Sequence, residues 1–350
     1  MSTQKTVTVS KTNGNLQAKD FASDQEVRWC PGCGDYTILK QVQTLMPKMG
    51  VDPENIVFVA GIGCSSRFPY YMNTFGVHGI HGRAPAIATG LKLSRPDLSV
   101  WVVTGDGDAL SIGGNHIIHL LRRNVDINVL LFNNEIYGLT KGQYSPTSPQ
   151  GLVTKTSPSG SVDNPFNPLS LALGANGSFI ARAMDRDPKH LQHLLERTWR
   201  HKGTSFLEIY QNCIVFNDNA FGPYTDKSMR DSTSLYLEDG EPLLFGKDEA
   251  FGLRMDGYRP EIVDLNSGKW SKDDLWIHDE KDRNKAWLLT SLFDDNTQAG
   301  KLPRPFGVFY AEERPAYEQL VQDQISASYE RYGEGNLEEL LIGEETWTVK

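Results

Sequence analysis

Short β-branched runs alternate with amphipathic helical patterns through most of the first 210 residues, and this alternation restricts the possible folds more than any other feature. Four runs predict buried strands, at residues 55–60, 98–104, 127–132 and 204–209. Helical periodicity predicts helices at residues 36–46, around 117–121, at 189–200 and, near the end of the chain, at 316–332. Such alternation is typical of a parallel sheet with helices on both faces, where ligands bind outside the carboxyl ends of the strands. The sequence therefore predicts an α/β fold with a doubly wound parallel sheet.

Two polar motifs follow neighbouring predicted strands. Gly105-Asp106-Gly107-Asp108 comes after the second strand, and Asn133-Asn134 comes at the end of the third. Magnesium prefers hard oxygen ligands and bridges phosphates, so the Asp106 carboxylate, the Asn134 amide oxygen and the Ile136 carbonyl are candidate ligands. Glycines allow the backbone to approach phosphates closely, and a following helix N-terminus favours their charge. Gly-Asp-Gly alone is often an ordinary turn, but its pairing with Asn-Asn in this strand context favours a magnesium–diphosphate site.

The chain has only four cysteines, Cys30, Cys33, Cys64 and Cys213, and the first two form a Cys-Pro-Gly-Cys motif. Four thiolates bind either zinc or an iron–sulfur cluster, and the spacing leaves both possible. A thioredoxin-type redox pair is a third alternative, although the polar residues before Cys30 do not resemble the strand that such a motif follows. Cys64 follows the first predicted strand, so we expect a redox centre beside the diphosphate motif.

The net charge of −9 argues against nucleic acid as a partner, because phosphate binding requires clustered Lys and Arg. No apolar run approaches the ~20 residues required to span a bilayer. The N-terminal residues contain no apolar segment typical of a signal peptide. We therefore expect a cytoplasmic protein that binds neither nucleic acid nor membrane.

Five ordered segments carry a family resemblance: WCPGCGDY, GIGCSSRFPYY, HGIHGRAPAIATG, GDGDALSIGGNHIIHLLRRN and NNEIYGLTKGQYSPTS. Together with GTSFLEIYQNC, they resemble the β subunit of 2-oxoacid:ferredoxin oxidoreductases, and the two-subunit type acting on 2-oxoglutarate most closely. The resemblance covers roughly residues 30–221 and implies a sheet of the pyrophosphate-module type that binds thiamine diphosphate. With the polar N-terminus and the weaker pattern after residue 212, we expect three regions: an N-terminal tail at 1–25, a thiamine diphosphate and iron–sulfur domain at 26–225, and an irregular C-terminal extension at 226–350. We expect this extension to pack on the core or on a partner subunit.

The resemblance further implies the cofactors and their ligands. One [4Fe-4S] cluster is expected on Cys30, Cys33, Cys64 and Cys213. Thiamine diphosphate is expected on Mg²⁺ held by Asp106, Asn134 and Ile136. The remaining residues expected to bind the cofactor are Gly63, Cys64, Ser65, His81, Gly82, Gly105, Gly107, Asp108, Gly138, Leu139 and Thr140.

The implied activity is oxidative decarboxylation of a 2-oxoacid, 2-oxoglutarate in the first instance, with coenzyme A to give succinyl-CoA and carbon dioxide. Electrons would pass through the cluster to ferredoxin. No catalytic residue is assigned on this chain, because the family takes the glutamate that activates thiamine from a larger α subunit, an obligate partner in a heterodimer or heterotetramer. The alternatives are the same chemistry on pyruvate or a branched 2-oxoacid, a non-oxidative thiamine-dependent decarboxylase, and a zinc-stabilised binding protein.

Overall fold

The computed structural model describes residues 16–292, 302–347 and 349, so most of the predicted N-terminal tail, residues 1–15, lies outside the described residues. The strands are β1 (Ile56–Ala60), β2 (Phe75–His78), β3 (Ser99–Gly105), β4 (Asn128–Asn133), β5 (Phe179–Met184), β6 (Ser205–Tyr210), β7 (Ser234–Leu237), β8 (Leu244–Phe245), β9 (Phe251–Asp256), β10 (Arg259–Asp264) and β11 (Arg304–Ala311). The α-helices are α1 (Asp35–Met49), α2 (Ala84–Ser94), α3 (Asp106–Leu110), α4 (Gly114–Arg123), α5 (Pro168–Gly174), α6 (Pro188–Arg200), α7 (Gly222–Thr225), α8 (Arg230–Thr233), α9 (Arg283–Ser291), α10 (Tyr317–Tyr332) and α11 (Leu337–Ile342). Short 3₁₀ segments lie at Ala18–Phe21, Pro53–Asn55, Ser65–Tyr71, Lys247–Glu249, Leu265–Ser267 and Lys272–Asp274.

An eight-stranded sheet in the order β2-β1-β3-β4-β6-β5-β11-β7 forms the centre of the fold. Its first six strands are parallel to their neighbours. Strand β11 then pairs antiparallel with β5 and parallel with β7. The predicted α/β fold with a parallel sheet is confirmed, and the C-terminal part of the chain makes the sheet mixed.

Side chains alternate between the two faces of the central strands and form two apolar clusters. Val57 and Val59 of β1 pack in one cluster with residues of α2, α4, α5 and α9. Ile56 and Phe58 pack in the other cluster, with residues of α1 and α6. Because both faces are covered, these strands are apolar throughout, which is why the sequence shows continuous β-branched runs.

All four predicted strands are present with bounds shifted by about one residue, and the four predicted helices correspond to α1, α4, α6 and α10. Strand β5 was not predicted, because its sequence FIARAM is interrupted by an arginine. Arg182 is nevertheless buried and pairs with Glu208 of β6 at 2.6 Å. The short edge strand β2 was also not predicted; all four of its residues are exposed, so it lacks the apolar pattern of a buried strand.

The segment that we expected to be an extension contributes β7 and β11 to the large sheet and also contains a three-stranded antiparallel sheet, β10-β9-β8. The stretch from 217 to 231, for which the composition predicts a loop, contains α7 and begins α8, each of a single turn. The boundary between residues 225 and 226 stays a prediction. Within the described ranges, none of the helices is long and apolar enough to cross a membrane.

Candidate functional site

The carboxyl ends of β1, β3, β4 and β6 lie at one edge of the sheet, because these strands are parallel neighbours. The loops that follow them carry Cys64, the Gly-Asp-Gly-Asp motif, Asn134 and Cys213. The segments after β1, β3 and β4 line a cavity of about 410 Å³. The sheet topology therefore brings the two predicted motifs together, at the edge where ligands bind in folds of this class.

Thirteen of the fourteen residues predicted to bind the cofactor line this cavity. They are Gly63, Cys64, Ser65, His81, Gly105, Asp106, Gly107, Asp108, Asn134, Ile136, Gly138, Leu139 and Thr140. Gly82 does not line it, and its amide instead donates to Asp108 Oδ1 at 2.6 Å. Asp35, Ile62, Phe132, Tyr137 and Gln143 also line the cavity, and the sequence analysis did not select them.

Asp106 is a buried carboxyl group at the C-terminal end of β3. Its Oδ2 accepts hydrogen bonds from Ser145 Oγ at 2.5 Å and from Thr147 Oγ1 at 2.6 Å. Burial raises the pKa of Asp106 to about 6, and the two hydroxyl donors partly oppose that rise. At neutral pH a buried negative charge therefore faces the cavity, and such a charge favours a bound cation.

Asn134 is held in a tight turn after β4. Its Oδ1 accepts from the amide of Ile136 at 3.2 Å, and its Nδ2 donates to Gln211 Oε1 at 2.8 Å. Glu135, between them, has a positive φ of 55°, a left-handed conformation that is uncommon outside glycine. These contacts orient the Asn134 amide, with Nδ2 towards Gln211 and Oδ1 towards the Ile136 amide, and Asn134 lines the same cavity as Asp106.

A chain of buried hydrogen bonds extends from Asp106 into the sheet. Thr147 Oγ1, which donates to Asp106, is also 2.9 Å from Asn133 Oδ1. Asn133 Nδ2 donates to Glu208 Oε1 at 2.8 Å, and Glu208 pairs with Arg182. The loop between β4 and α5 therefore contributes functional contacts that sequence reasoning missed, because its SPTS segment shows no strand or helix pattern.

Two buried polar groups in the cavity wall lack a partner among the described residues. Ser65 Oγ makes no hydrogen bond, and neither carboxyl oxygen of Asp35 receives an N–H or O–H donor, although the weak donor Cys33 Sγ lies beside the Asp35 carboxyl group. Burial and the nearby charge of Asp185 raise the pKa of Asp35 to about 7, whereas the Cys33 thiol opposes that rise. Buried polar groups without partners are costly, so their presence indicates a wall shaped for a polar ligand. The only sequence signal for Asp35 is its place two residues after Cys33.

Cys64 lines this cavity, and none of the four cysteines forms a disulfide. A Cβ atom added at Gly138 would lie 3.4 Å from Cys213 Sγ and 3.5 Å from Cys64 Sγ, so both sulfurs approach the same point. Burial, and then the charges of Asp35, Cys213 and Cys30, raise the pKa of the Cys64 thiol to about 12. Burial likewise raises the pKa of Cys33, with contributions from Asp35, Cys64 and Cys213. In the part of the chain that the structure describes, no group of three or more His, Cys, Asp or Glu side chains is arranged to hold a metal ion.

The chain resembles known proteins in sequence and structure. Residues 61–209 match the family model described as thiamine pyrophosphate enzyme, C-terminal TPP binding domain. The 2-oxoglutarate oxidoreductase subunit KorB of Mycobacterium tuberculosis is 49% identical over 345 residues, which is 97% of this chain and 91% of the relative. The 2-oxoacid:ferredoxin oxidoreductase subunit beta of Sulfolobus sp is 43% identical over 223 residues, covering 63% of this chain and 72% of the relative.

A solved structure shows the same fold over nearly the whole chain. It is that of the 2-oxoglutarate:ferredoxin oxidoreductase from Magnetococcus marinus, with 2-oxoglutarate, coenzyme A and succinyl-CoA bound. The TM-score is 0.72 at 31% sequence identity, over 94% of this chain and 95% of that chain.

Proposed function

The chain belongs to the family of β subunits of 2-oxoacid:ferredoxin oxidoreductases, and from this premise we propose how its own residues serve that enzyme. The carboxyl-edge cavity holds thiamine diphosphate and Mg²⁺, and the four cysteines hold a [4Fe-4S] cluster. With a larger α subunit, the chain oxidises 2-oxoglutarate with coenzyme A and passes electrons to ferredoxin. The observation that carries the proposal is the convergence of the Asp106 carboxylate, Asn134 and unpartnered Ser65 in one cavity.

The oxygen ligands that line the cavity suit a metal cation bound together with a diphosphate group. Asp106 offers a buried carboxylate, Asn134 an amide oxygen and Ile136 a main-chain carbonyl, all of which are hard oxygen ligands suited to Mg²⁺. Ser65 Oγ, buried and without a partner, is available to donate to a phosphate oxygen. The fourteen predicted residues are therefore our proposed cofactor site, with Gly82 acting from behind the cavity wall.

The cysteines fit a group that binds soft thiolates. All four are free of disulfides, and the sulfurs of Cys64 and Cys213 both approach the space beside Gly138. The Gln211 amide donates to Cys33 Sγ at 3.2 Å, a contact of the kind that orients and tunes a metal-bound sulfur. Gly138 leaves the space between Cys64 and Cys213 open.

Thiamine diphosphate held in this cavity would supply the electron sink for decarboxylation, and an iron–sulfur cluster held by the cysteines would supply electron transfer. This chain positions the diphosphate end of the cofactor and brings the thiols to the same cavity. We expect the thiamine-activating glutamate to come from the α subunit. The substrates bound to the Magnetococcus marinus enzyme support 2-oxoglutarate and coenzyme A as substrates here.

Anaerobic purification of the full chain tests the proposal. We expect a brown protein with about four iron and four sulfide per chain, and saturable calorimetric binding of thiamine diphosphate that requires Mg²⁺ when the α subunit is present. A colourless chain containing zinc would favour the zinc-stabilised binding protein. A chain without iron that still bound thiamine diphosphate would favour the non-oxidative decarboxylase.

A further inference from the structure

We infer that Asp108 is a positioning residue, which holds His81 so that the second ring nitrogen of His81 faces the diphosphate. The inference rests on the proposed function of the cavity, because it assigns His81 a contact with the diphosphate. Asp108 is 2% exposed and lies two residues after Asp106 in the same motif. The two carboxylates nevertheless have different surroundings.

Both oxygens of Asp108 are already satisfied by the protein. Oδ1 accepts from the amides of Ile62 at 3.0 Å and Gly82 at 2.6 Å, and lies 2.7 Å from His81 Nδ1. Oδ2 accepts from Thr104 Oγ1 at 2.7 Å. A carboxylate accepts about four hydrogen bonds, so little capacity remains for a ligand.

The backbone also closes around this carboxylate. A Cβ added at Gly61 would lie 2.1 Å from Asp108 Oδ2, which is a severe clash, so only glycine fits there. One buried side chain therefore joins three segments that border the cavity: the loop after β1, the loop before α2, and the end of β3. We conclude that Asp108, although it lines the cavity, holds these segments together through its contacts with the protein, whereas Asp106 is the carboxylate that faces the ligand.

His81 is the member of this group that reaches the cavity. Its ring lines the cavity and packs edge-on to Tyr137, with ring centroids 6.5 Å apart. Among the described residues, Nε2 has no hydrogen-bond partner. A carboxylate that accepts from Nδ1–H fixes both the tautomer and the orientation of the ring. An imidazolium paired in this way can donate from Nε2 to a phosphate oxygen.

Spectroscopy of the wild-type chain tests the positioning without any cofactor. In the full chain labelled with ¹⁵N-histidine, we expect the His81 signal, identified by its loss in His81→Asn, to show a proton on Nδ1. In Asp108→Asn, that proton should exchange faster with solvent, because the charged acceptor is lost. A His81 ring that carries its only proton on Nε2 in the wild type would overturn the inference, whether or not the variants fold.

A double-mutant cycle tests whether Asp108 affects cofactor binding through His81. In the two-subunit complex, Asp108→Asn and His81→Asn should each weaken calorimetric binding of thiamine diphosphate about 10–100-fold, the range for loss of an outer-shell partner. Asn at 81 keeps an amide able to donate to Asp108 but does not reach the position of Nε2. The double variant should bind no more weakly than His81→Asn alone. Additive losses, or wild-type binding in Asp108→Asn, would show that Asp108 does not act through His81. Failure of the wild-type complex itself to bind would instead contradict the proposed function.

Discussion

Replacing Asp106 by asparagine should stabilise the cofactor-free chain while abolishing its cofactor binding. The reason is that Asp106 is a buried charge whose pKa lies near 6, compared with an ordinary value of 3.8. A raised carboxyl pKa means that the folded chain binds the proton more tightly than the unfolded chain does. Protonated Asp106 is compatible with burial, so its contribution to stability is fully present below about pH 4. That contribution is lost as the pH rises to about 6 and the buried group becomes charged.

The size of the effect follows from the shift. A difference of about two pKa units corresponds to about 3 kcal/mol at pH 7, at 1.36 kcal/mol per unit. At pH 5 only about 1.5 kcal/mol of this penalty is expressed, because folded Asp106 is then mostly protonated. Asparagine removes the charge but accepts weaker hydrogen bonds from Ser145 and Thr147, so the net gain at pH 7 should be about 1–3 kcal/mol.

Urea unfolding of the metal-free and cofactor-free chain, followed by circular dichroism at pH 5 and pH 7, measures this gain. Asp273→Asn is the matched control, because Asp273 is exposed and its replacement should change the free energy of unfolding by less than about 0.5 kcal/mol. Asp106→Asn should exceed the wild type at pH 7, and its advantage should shrink at pH 5. A variant that is less stable than the wild type at pH 7, or a gain independent of pH, would refute the electrostatic reasoning. In the two-subunit complex the same variant should show no Mg²⁺-dependent binding of thiamine diphosphate, since the charged ligand is gone.

Two further substitutions test the proposed cluster and the buried ion pair of the sheet separately. Cys213→Ser should lower the iron content per chain and make the remaining centre sensitive to oxygen, because an alkoxide is a poor substitute for a soft thiolate. If the iron content and the electron paramagnetic resonance spectrum were unchanged, Cys213 would be a structural thiol. Arg182→Met should cost about 3–5 kcal/mol in urea unfolding, because it leaves Glu208 buried and unpaired, whereas Arg182→Met with Glu208→Leu should recover much of that loss. A loss below about 1 kcal/mol in the single variant would show that the pair contributes little to stability.

The sequence predicted the central sheet because its strands are buried on both faces. Apolar runs at β1, β3 and β4, and the mostly apolar run at β6, need no tertiary information to be recognised, and the motifs at their ends come together once the strands are parallel. Strand β5 could not be predicted in this way, because buried Arg182 looks like a surface residue until its partner Glu208 is known. Strand β11 pairs with β5 across more than 100 residues and with β7 across 70 residues, and local patterns do not show such pairings.

Site residues that belong to a sequence motif were predicted, whereas site residues contributed by an irregular loop were missed. Asp106 and Asn134 were selected from strand context, and both line the cavity. Ser145 and Thr147 were missed, since a hydroxyl in a loop has no pattern that points to a distant carboxylate. The motif placed Asp108 at the site, but only the three-dimensional structure shows that protein donors occupy its carboxylate oxygens.

The most direct test of the central claim is turnover by the chain with and without its α subunit. Each preparation, with its cluster intact, is assayed anaerobically with thiamine diphosphate, Mg²⁺, coenzyme A, 2-oxoglutarate and a viologen acceptor. The complex should reduce the viologen and form succinyl-CoA in equal measure with carbon dioxide, and the isolated chain should show no turnover above background. Turnover by the isolated chain at the rate of the complex would contradict a site shared between subunits. A complex with bound cofactors but no viologen reduction with 2-oxoglutarate, pyruvate or branched 2-oxoacids would contradict the proposed activity itself.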